Sequence, residues 1–404
     1  MFAAMTQLLA NTPQGDSEKS PKVGTTRTFY DTPNNGNVVR KSIGNAVKKL
    51  EGLGGVKNVA VDASLDFNAA AVAANLALTI SHSPPSPFNP NEMDSLPQKL
   101  KFTPTGPLVG WNKGVIYAQA QNLARTLNER PANMMTPTSF VERARKEFDG
   151  IPNVEIPHKE EWTKSKNTHL FLSVTQGTSE LAKFLEIHYE GSADPTAQHL
   201  VPVGNFDSGR ISLKPGAGMK LMRGDMGGAA AVISAVWAVA KLQMPIYTMK
   251  GKSIEVSNTD AEGCLILSYK LHSLIDVATL TGAMVIAGIF STSDELWDRL
   301  HAAGEAEYDR FWRISLDDDF ATQITSSKAD LQNSCFLLGR LAGSITAPVF
   351  LKAFAEGAEA KDSQEPAMKW AHIDTAGSME ISGERMTGRP VRALVDYVSS
   401  LANA

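Results

Sequence analysis

The stretch Leu221-Met222-Arg223-Gly224-Asp225-Met226-Gly227-Gly228 decides the reading of this chain, together with Phe206-Asp207-Ser208-Gly209 before it and Asn258-Thr259-Asp260-Ala261-Glu262-Gly263 after it. Asp225 stands at the head of Met226 to Leu242, an almost wholly apolar helical pattern, and is its expected N-cap. Leu200 to Phe206 is a short apolar run that ends on Asp207, the pattern of a buried strand delivering an acid at its carboxyl end. Ile254 to Val256 and Leu274 to Leu280 read as two further strands, running into Asp260-x-Glu262 and Thr281-Gly282. Strands alternating with helices, with polar residues at strand ends, predict an α/β sheet whose site lies along its carboxyl edge.

Four acidic residues, Asp207, Asp225, Asp260 and Glu262, fall among glycines and small residues where the chain changes direction. Taken singly, each is an ordinary cap or turn residue. If they converge, each pair near 4 Å repels by roughly 4 kcal/mol at an effective dielectric of about 20, so a cation belongs between them. No His lies inside these stretches and there is no His-Glu-x-x-His run. The donor set is therefore oxygen-rich, suited to Mn2+, Mg2+ or a carboxylate-bound Zn2+, and bridging carboxylates make two metals reasonable.

The residues also carry a family likeness. The chain resembles the leucyl aminopeptidase (cytosol aminopeptidase) family of two-metal exopeptidases over most of residues 111 to 400. The hallmark Asn-Thr-Asp-Ala-Glu-Gly is intact at 258 to 263. Matching too are Arg130-Pro131-Ala132-Asn133 with Thr136-Pro137, Phe184 to Tyr189, Ala278-Thr279-Leu280-Thr281-Gly282-Ala283, Trp370-Ala371-His372-Ile373-Asp374 and Thr387-Gly388-Arg389-Pro390. The resemblance implies that Asp207 and Glu262 bridge two divalent ions, that Asp225 completes one site and Asp260 the other, and that Lys214 polarises the scissile carbonyl. Met222 and Thr279 would line the pocket for the substrate's first side chain. The implied reaction is release of an N-terminal residue by water activated between the cations, with the free α-amine anchored at one of them. Family members assemble as homohexamers, so an oligomer of dihedral symmetry is expected.

Departures from the family pattern gather at the same place. Gly204 is followed at once by Asn205 and Phe206, where the family has a Gly-Lys-Gly stretch with a metal-ligating lysine. Cys264 stands where the family has an arginine that holds a bicarbonate ion, and a thiol offers no bidentate fork to an anion. Tyr247-Thr248-Met249-Lys250 bridges a distance that in the family includes a strand and a Pro-Ser-Gly loop, and the helix after Leu265-Ile266-Leu267 is shortened. Arg210 replaces a second glycine after Asp-Ser-Gly; its charge either sits beside the carboxylates or faces solvent in a turn. Three readings follow: a weakened enzyme, since the four acids and Lys214 persist; a non-catalytic subunit that keeps the fold and the oligomer; or an incomplete gene model or splice form of an active enzyme. An incomplete sheet would also expose an unpaired edge prone to association.

Composition bounds the rest. At 404 residues the chain is long enough for two domains and a large core. A net charge of −4 leaves no footprint for nucleic acid or an anionic membrane, and no apolar run suits a membrane span. Met1 to Ala10 has no basic stretch, so a signal peptide is not expected. Two cysteines in so long a chain point to a reducing, cytoplasmic setting. Cys264 reads as a small half-buried residue and Cys335 as part of a turn. Residues 11 to 38 are expected to be loosely ordered, and Ser81 to Lys99 is a proline-rich loop or linker. Helices are expected at Val38 to Leu50, Ala69 to Ile80 and Gly114 to Asn128, and a strand at Val56 to Val61. The expected organisation is a smaller N-terminal α/β domain (1–110), a connecting helix (111–130) and a larger metallopeptidase-like domain (131–404) built on a mixed sheet with flanking helices. His188 and His372 read as satisfied sheet residues, and Arg389 as support for a loop or a subunit contact.

Overall fold

A computed structural model describes residues 3–6, 8–11, 26–29, 35–51, 56–78, 100–106, 108–156, 183, 185–191, 216, 219–245, 273–326, 331, 343–355, 357–358, 366, 368–381 and 385–402. The chain divides into two compact units, Met1–Asn122 and Leu123–Ala404.

In the first unit, β1 (Ala3–Thr6) pairs antiparallel with β3 (Thr26–Phe29). A separate three-stranded sheet has the order β2-β4-β5, formed by β2 (Leu8–Asn11), β4 (Asn58–Asp62) and β5 (Lys101–Thr105). Here β4 lies antiparallel to β2 and parallel to β5. α1 (Asn35–Glu51) repeats apolar side chains at Val39, Ile43, Val47 and Leu50, one face of a helix of period 3.6, and all four are buried. They meet Val59 and Val61 of β4 and the alanines of α2 (Phe67–Ala77) in one core. Asp66 caps α2, its side chain accepting from the Ala69 N–H at 2.9 Å. The residues expected to be loose include strand β3 and the first turn of α1. In sequence, β3 lies among polar residues that carry no periodic apolar signal.

α3 (Leu108–Glu129) starts six residues before the Gly114–Asn128 pattern predicts: its first turn is apolar but exposes Leu108 and Val109, so it does not continue the buried stripe. Ala120, Leu123 and Leu127 of its predicted face are buried.

The second unit is built on a mixed sheet of order β10-β9-β11-β8, from β8 (Ser273–Ala278), β9 (Gly288–Ser291), β10 (Trp312–Arg313) and β11 (Lys369–Asp374). β8 and β11 run parallel in the register Ser273↔Lys369 to Ala278↔Asp374, and β11 runs antiparallel to β9. Two smaller antiparallel pairs are β6 (Val154–Glu155) with β7 (His188–Tyr189), and β12 (Glu380–Ile381) with β13 (Arg385–Met386). α4 (Pro137–Phe148), a helix the sequence reading did not mark, begins with Pro137 in the first turn and the Thr136 hydroxyl accepting from the Ser139 N–H at 3.2 Å.

α5 (Gly227–Lys241) packs on β8 and on α8 (Val391–Ala402), and α8 packs on α6 (Asp294–Glu307), which touches β9 and β11. Alternation along β11 sends Trp370, His372 and Asp374 to one face. There Trp370 joins Leu274 of β8 and Val349 and Phe350 of α7 (Gly343–Lys352) in a second core. The mixed α/β fold is therefore the one the strand and helix pattern predicts. The predicted strands at 200–206 and 254–256, the bridge 247–250, the loop 81–99 and Cys335 lie outside the described residues.

Candidate active site

β8 and β11 are parallel, so both carry their chain into loops at the same carboxyl edge. Asp374, the last residue of β11, is fully buried and organises that edge. Its Oδ1 accepts from the N–H groups of Leu280 (3.2 Å) and Ala376 (3.0 Å), and its Oδ2 from the N–H (3.1 Å) and hydroxyl (2.7 Å) of Thr281. With four donors on one buried carboxylate, Asp374 fixes the Thr279 to Thr281 loop.

That loop meets the head of α5. The Thr279 hydroxyl donates to the main-chain oxygen of Asp225 at 2.7 Å and lies 3.2 Å from Asp225 Oδ1. Contact is this close because α5 starts with two glycines: a Cβ on Gly228 would stand 2.0 Å from the Val277 carbonyl oxygen of β8. A Cβ on Gly227 would stand 2.9 Å from Thr279 Cγ2. Only an unsubstituted backbone lets the helix start abut the strand end.

One expectation is corrected. Asp225 is not the N-cap of α5; Met226 is, with no side-chain cap hydrogen bond, and the helix begins at Gly227. The Asp225 carboxylate is turned to Thr279 instead. It still sits within the favourable field of the helix start, which stabilises a carboxylate anion.

Met222 belongs to a 3-10 turn, Met219–Gly224, and its carbonyl accepts from the Asp225 N–H at 3.2 Å. The structure thus brings Met222, Asp225 and Thr279 together, all three half-buried. Asp207, Lys214, Asp260 and Glu262 lie outside the described residues, as do Arg210 and Cys264. Among the described residues no three His, Cys, Asp or Glu side chains form a metal-holding group. The described donor fits a hard divalent cation in kind: an oxygen ligand, half-buried and oriented by a neighbouring hydroxyl.

Sequence reasoning passed over two side chains beside this turn. Arg223 Nη2 donates to Glu129 Oε1 at 3.1 Å, and Glu129 Oε2 accepts from the Met386 N–H at 2.9 Å. Glu129 immediately precedes the Arg130-Pro131-Ala132-Asn133 motif, the one signal that could have drawn attention to it.

Both histidines are sheet residues as predicted, but only His188 is satisfied as expected: the buried Nε2 of His372 has no hydrogen-bond partner among the described residues. His188 Nε2 pairs with Glu186 at 2.8 Å, and fully buried His372 pairs through Nδ1 with Asp276, whose other oxygen takes the Trp370 indole N–H at 2.8 Å. Burial alone would lower the His372 pKa, but the charge and hydrogen bond of Asp276 and the charge of Asp374 outweigh it, so it is raised. Arg389 supports a loop, as expected: it lies 3.4 Å from Asp309, beside Arg392, which bonds both Glu307 and Asp309.

Fold and site define an α/β protein whose carboxylate stands at the carboxyl edge of a mixed sheet. The family model "Cytosol aminopeptidase family, catalytic domain" matches residues 122–248 and 246–395, and the chain belongs to that family. It is 37% identical to a cytosol aminopeptidase of Xenopus tropicalis over 399 residues, covering 86% of this chain and 73% of that protein. An alignment of 399 residues exceeds 86% of a 404-residue chain, so dozens of aligned positions have no counterpart here. The bottromycin maturation enzyme BotP in complex with Mn has the same fold, with a TM-score of 0.75 at 23% identity over 98% of this chain and 93% of that one. A tomato leucine aminopeptidase mutant gives a TM-score of 0.70 at 22% identity, covering 97% of this chain and 83% of its own.

Proposed function

We propose that this chain is a leucyl-aminopeptidase-type metalloexopeptidase that releases N-terminal residues from peptides with a free N-terminus. The observation that carries the proposal is the placement of Asp225: the expected ligand stands at the carboxyl edge of β8, oriented by Thr279, next to Met222. Asp207, Asp225, Asp260 and Glu262 would hold two divalent cations, Mn2+ or Zn2+, with Mg2+ as a further candidate; one of the two sites is weakened by the absent lysine. When bound, such cations supply Lewis-acid polarisation of the carbonyl and a nucleophilic water at neutral pH. Lys214 would stabilise the developing oxyanion. Met222 would contact the substrate's first side chain. Thr279 would border that pocket while its hydroxyl stays on Asp225. We assign residues 131–404 as the catalytic domain, the cytoplasm as its setting and a homohexamer as its assembly. Among the described residues no helix is long and apolar enough to cross a membrane.

A second reading is a subunit without turnover, or an incomplete form of an active enzyme. One observation favours it: the two family-model matches meet at residues 246–248, where the sequence reading finds a strand and a loop missing. The experiment is hydrolysis of a leucine amide substrate by the purified chain with added Mn2+, beside Asp260→Ala and a version with the Gly-Lys-Gly stretch and the absent strand restored. Mn2+-dependent turnover that Asp260→Ala abolishes is expected. No turnover until the segments are restored would replace the first reading with the second.

A further inference from the structure

We propose that Glu129 is a positioning residue that holds the turn carrying Met222 and Asp225, by binding the Arg223 guanidinium with one carboxylate oxygen and the Met386 main-chain N–H with the other. This inference rests on the metal-binding role assigned to Asp225 above.

The geometry is that of a clamp. Glu129 ends α3, and its side chain is 10% exposed, that of Arg223 16%. Its two oxygens are used separately, at 3.1 Å on Arg223 and 2.9 Å on Met386. Met386 is held in turn by β12, where it pairs with Glu380. The next residue, Gly224, lies against the same strand: a Cβ there would stand 2.7 Å from Met386 Cε and 3.3 Å from Met379 Sδ. One residue further, Asp225 takes the Thr279 hydroxyl. The four residues from Met222 to Asp225 are therefore gripped from β13 and the end of α3 on one side and from the loop after β8 on the other.

Charge makes a carboxylate the residue of choice at this position. Burial lowers the pKa of Arg125, the Glu129 charge opposes that, and Arg385 adds to it. Glu129 thus pairs with Arg223 and also acts on Arg125, against the effect of Arg385 there. Its amide isostere keeps the shape and one acceptor but loses the charge. Groups that orient a metal ligand act on affinity through that ligand, typically by 10–100-fold on mutation.

Glu129→Gln and Arg223→Lys should be compared with the parent chain by Mn2+ titration calorimetry and by hydrogen exchange of the metal-free protein. Glu295→Gln, altering a surface pair with Lys369, is the control. We expect Glu129→Gln to weaken Mn2+ binding about 10–100-fold and to speed exchange within Met219–Met226 while β11 stays protected. On a leucine amide, kcat and KM should both worsen, since one turn carries ligand and pocket. Unchanged exchange in Met219–Met226, or unchanged Mn2+ affinity, overturns the proposal. Should the parent chain bind no Mn2+, the metal role of Asp225 fails, and the exchange comparison alone decides whether Glu129 holds the turn. Should Glu129→Gln also expose β11 to exchange, Arg223→Lys decides in its place: exchange raised only in Met219–Met226 supports the clamp, and unaltered exchange overturns it.

Discussion

Replacing Thr279 with Val separates the hydroxyl from the shape of the side chain at the site. The Thr279 hydroxyl donates to the Asp225 carbonyl at 2.7 Å and lies 3.2 Å from the Asp225 carboxylate. Valine removes the donor and puts a methyl in its place. Carbon–oxygen contacts settle at roughly 3.3–3.6 Å, so the methyl must retreat by more than half an ångström from that carbonyl. Gly227 packs against the Thr279 methyl from the other side, which leaves little room for the retreat. A lost hydrogen bond costs about 1 kcal/mol, and an acceptor left buried about 1–3 kcal/mol. The surroundings are half-buried, so we expect a loss of about 1–2 kcal/mol. Thr279→Ser keeps the hydroxyl and deletes a methyl, a change of about 0.8 kcal/mol or less. Urea denaturation of the metal-free protein reads both, as shifts in midpoint at constant m. Valine should also weaken Mn2+ binding by about tenfold or more, with serine close to the parent. Equal stability of Thr279→Val and the parent, or a serine loss as large as the valine loss, would refute the idea that the hydroxyl is what holds Asp225.

Three further expectations can be checked alongside. Gly228→Ala places its Cβ 2.0 Å from the Val277 carbonyl, a backbone atom that cannot swing away, so the head of α5 must shift; a loss of about 1–3 kcal/mol is expected on urea denaturation, and a neutral result would disprove the tight abutment. Arg392→Met leaves Glu307 and Asp309, both nearly inaccessible, without their shared guanidinium; about 3–5 kcal/mol should be lost, measurable in the same assay, and a loss under about 1 kcal/mol would contradict a buried ionic cluster. The folded-state pKa of His372 is raised, so its protonated form favours folding: that stability is complete below the ordinary His pKa of about 6.5 and disappears as pH rises through the raised value. The stability gap between the parent and His372→Asn should therefore shrink above about pH 6.5; a gap that widens there would reverse the assignment.

Where the local pattern carries the information, sequence and structure agree. The four-residue spacing of α1, the apolar run of α5 and the strand read at Leu274 to Leu280, found at Ser273–Ala278, are all visible in the order of residues. They are set by neighbours a few positions apart. The capping role assigned to Asp225 failed for a related reason: an acid before an apolar helix is a local signal, and the local rule cannot know that a threonine more than fifty residues later competes for the carboxylate.

By itself, the sequence determined the family through the motif at 258–263, the α/β class through alternating periodicities, and the identity of the four candidate carboxylates. It also raised the expectation of departures from the family pattern, and the two-part match of the family model meets where one of them is expected. Only the tertiary structure decided that Thr279 serves Asp225 through its hydroxyl, that Asp374 shapes the loop at the sheet edge, and that Glu129 and Met386 grip the turn bearing Met222. Each of these is a hydrogen bond between residues far apart in the chain. Such partners are chosen by strand register and by how closely a glycine-led helix can approach a strand, and neither leaves a periodic trace in the order of amino acids.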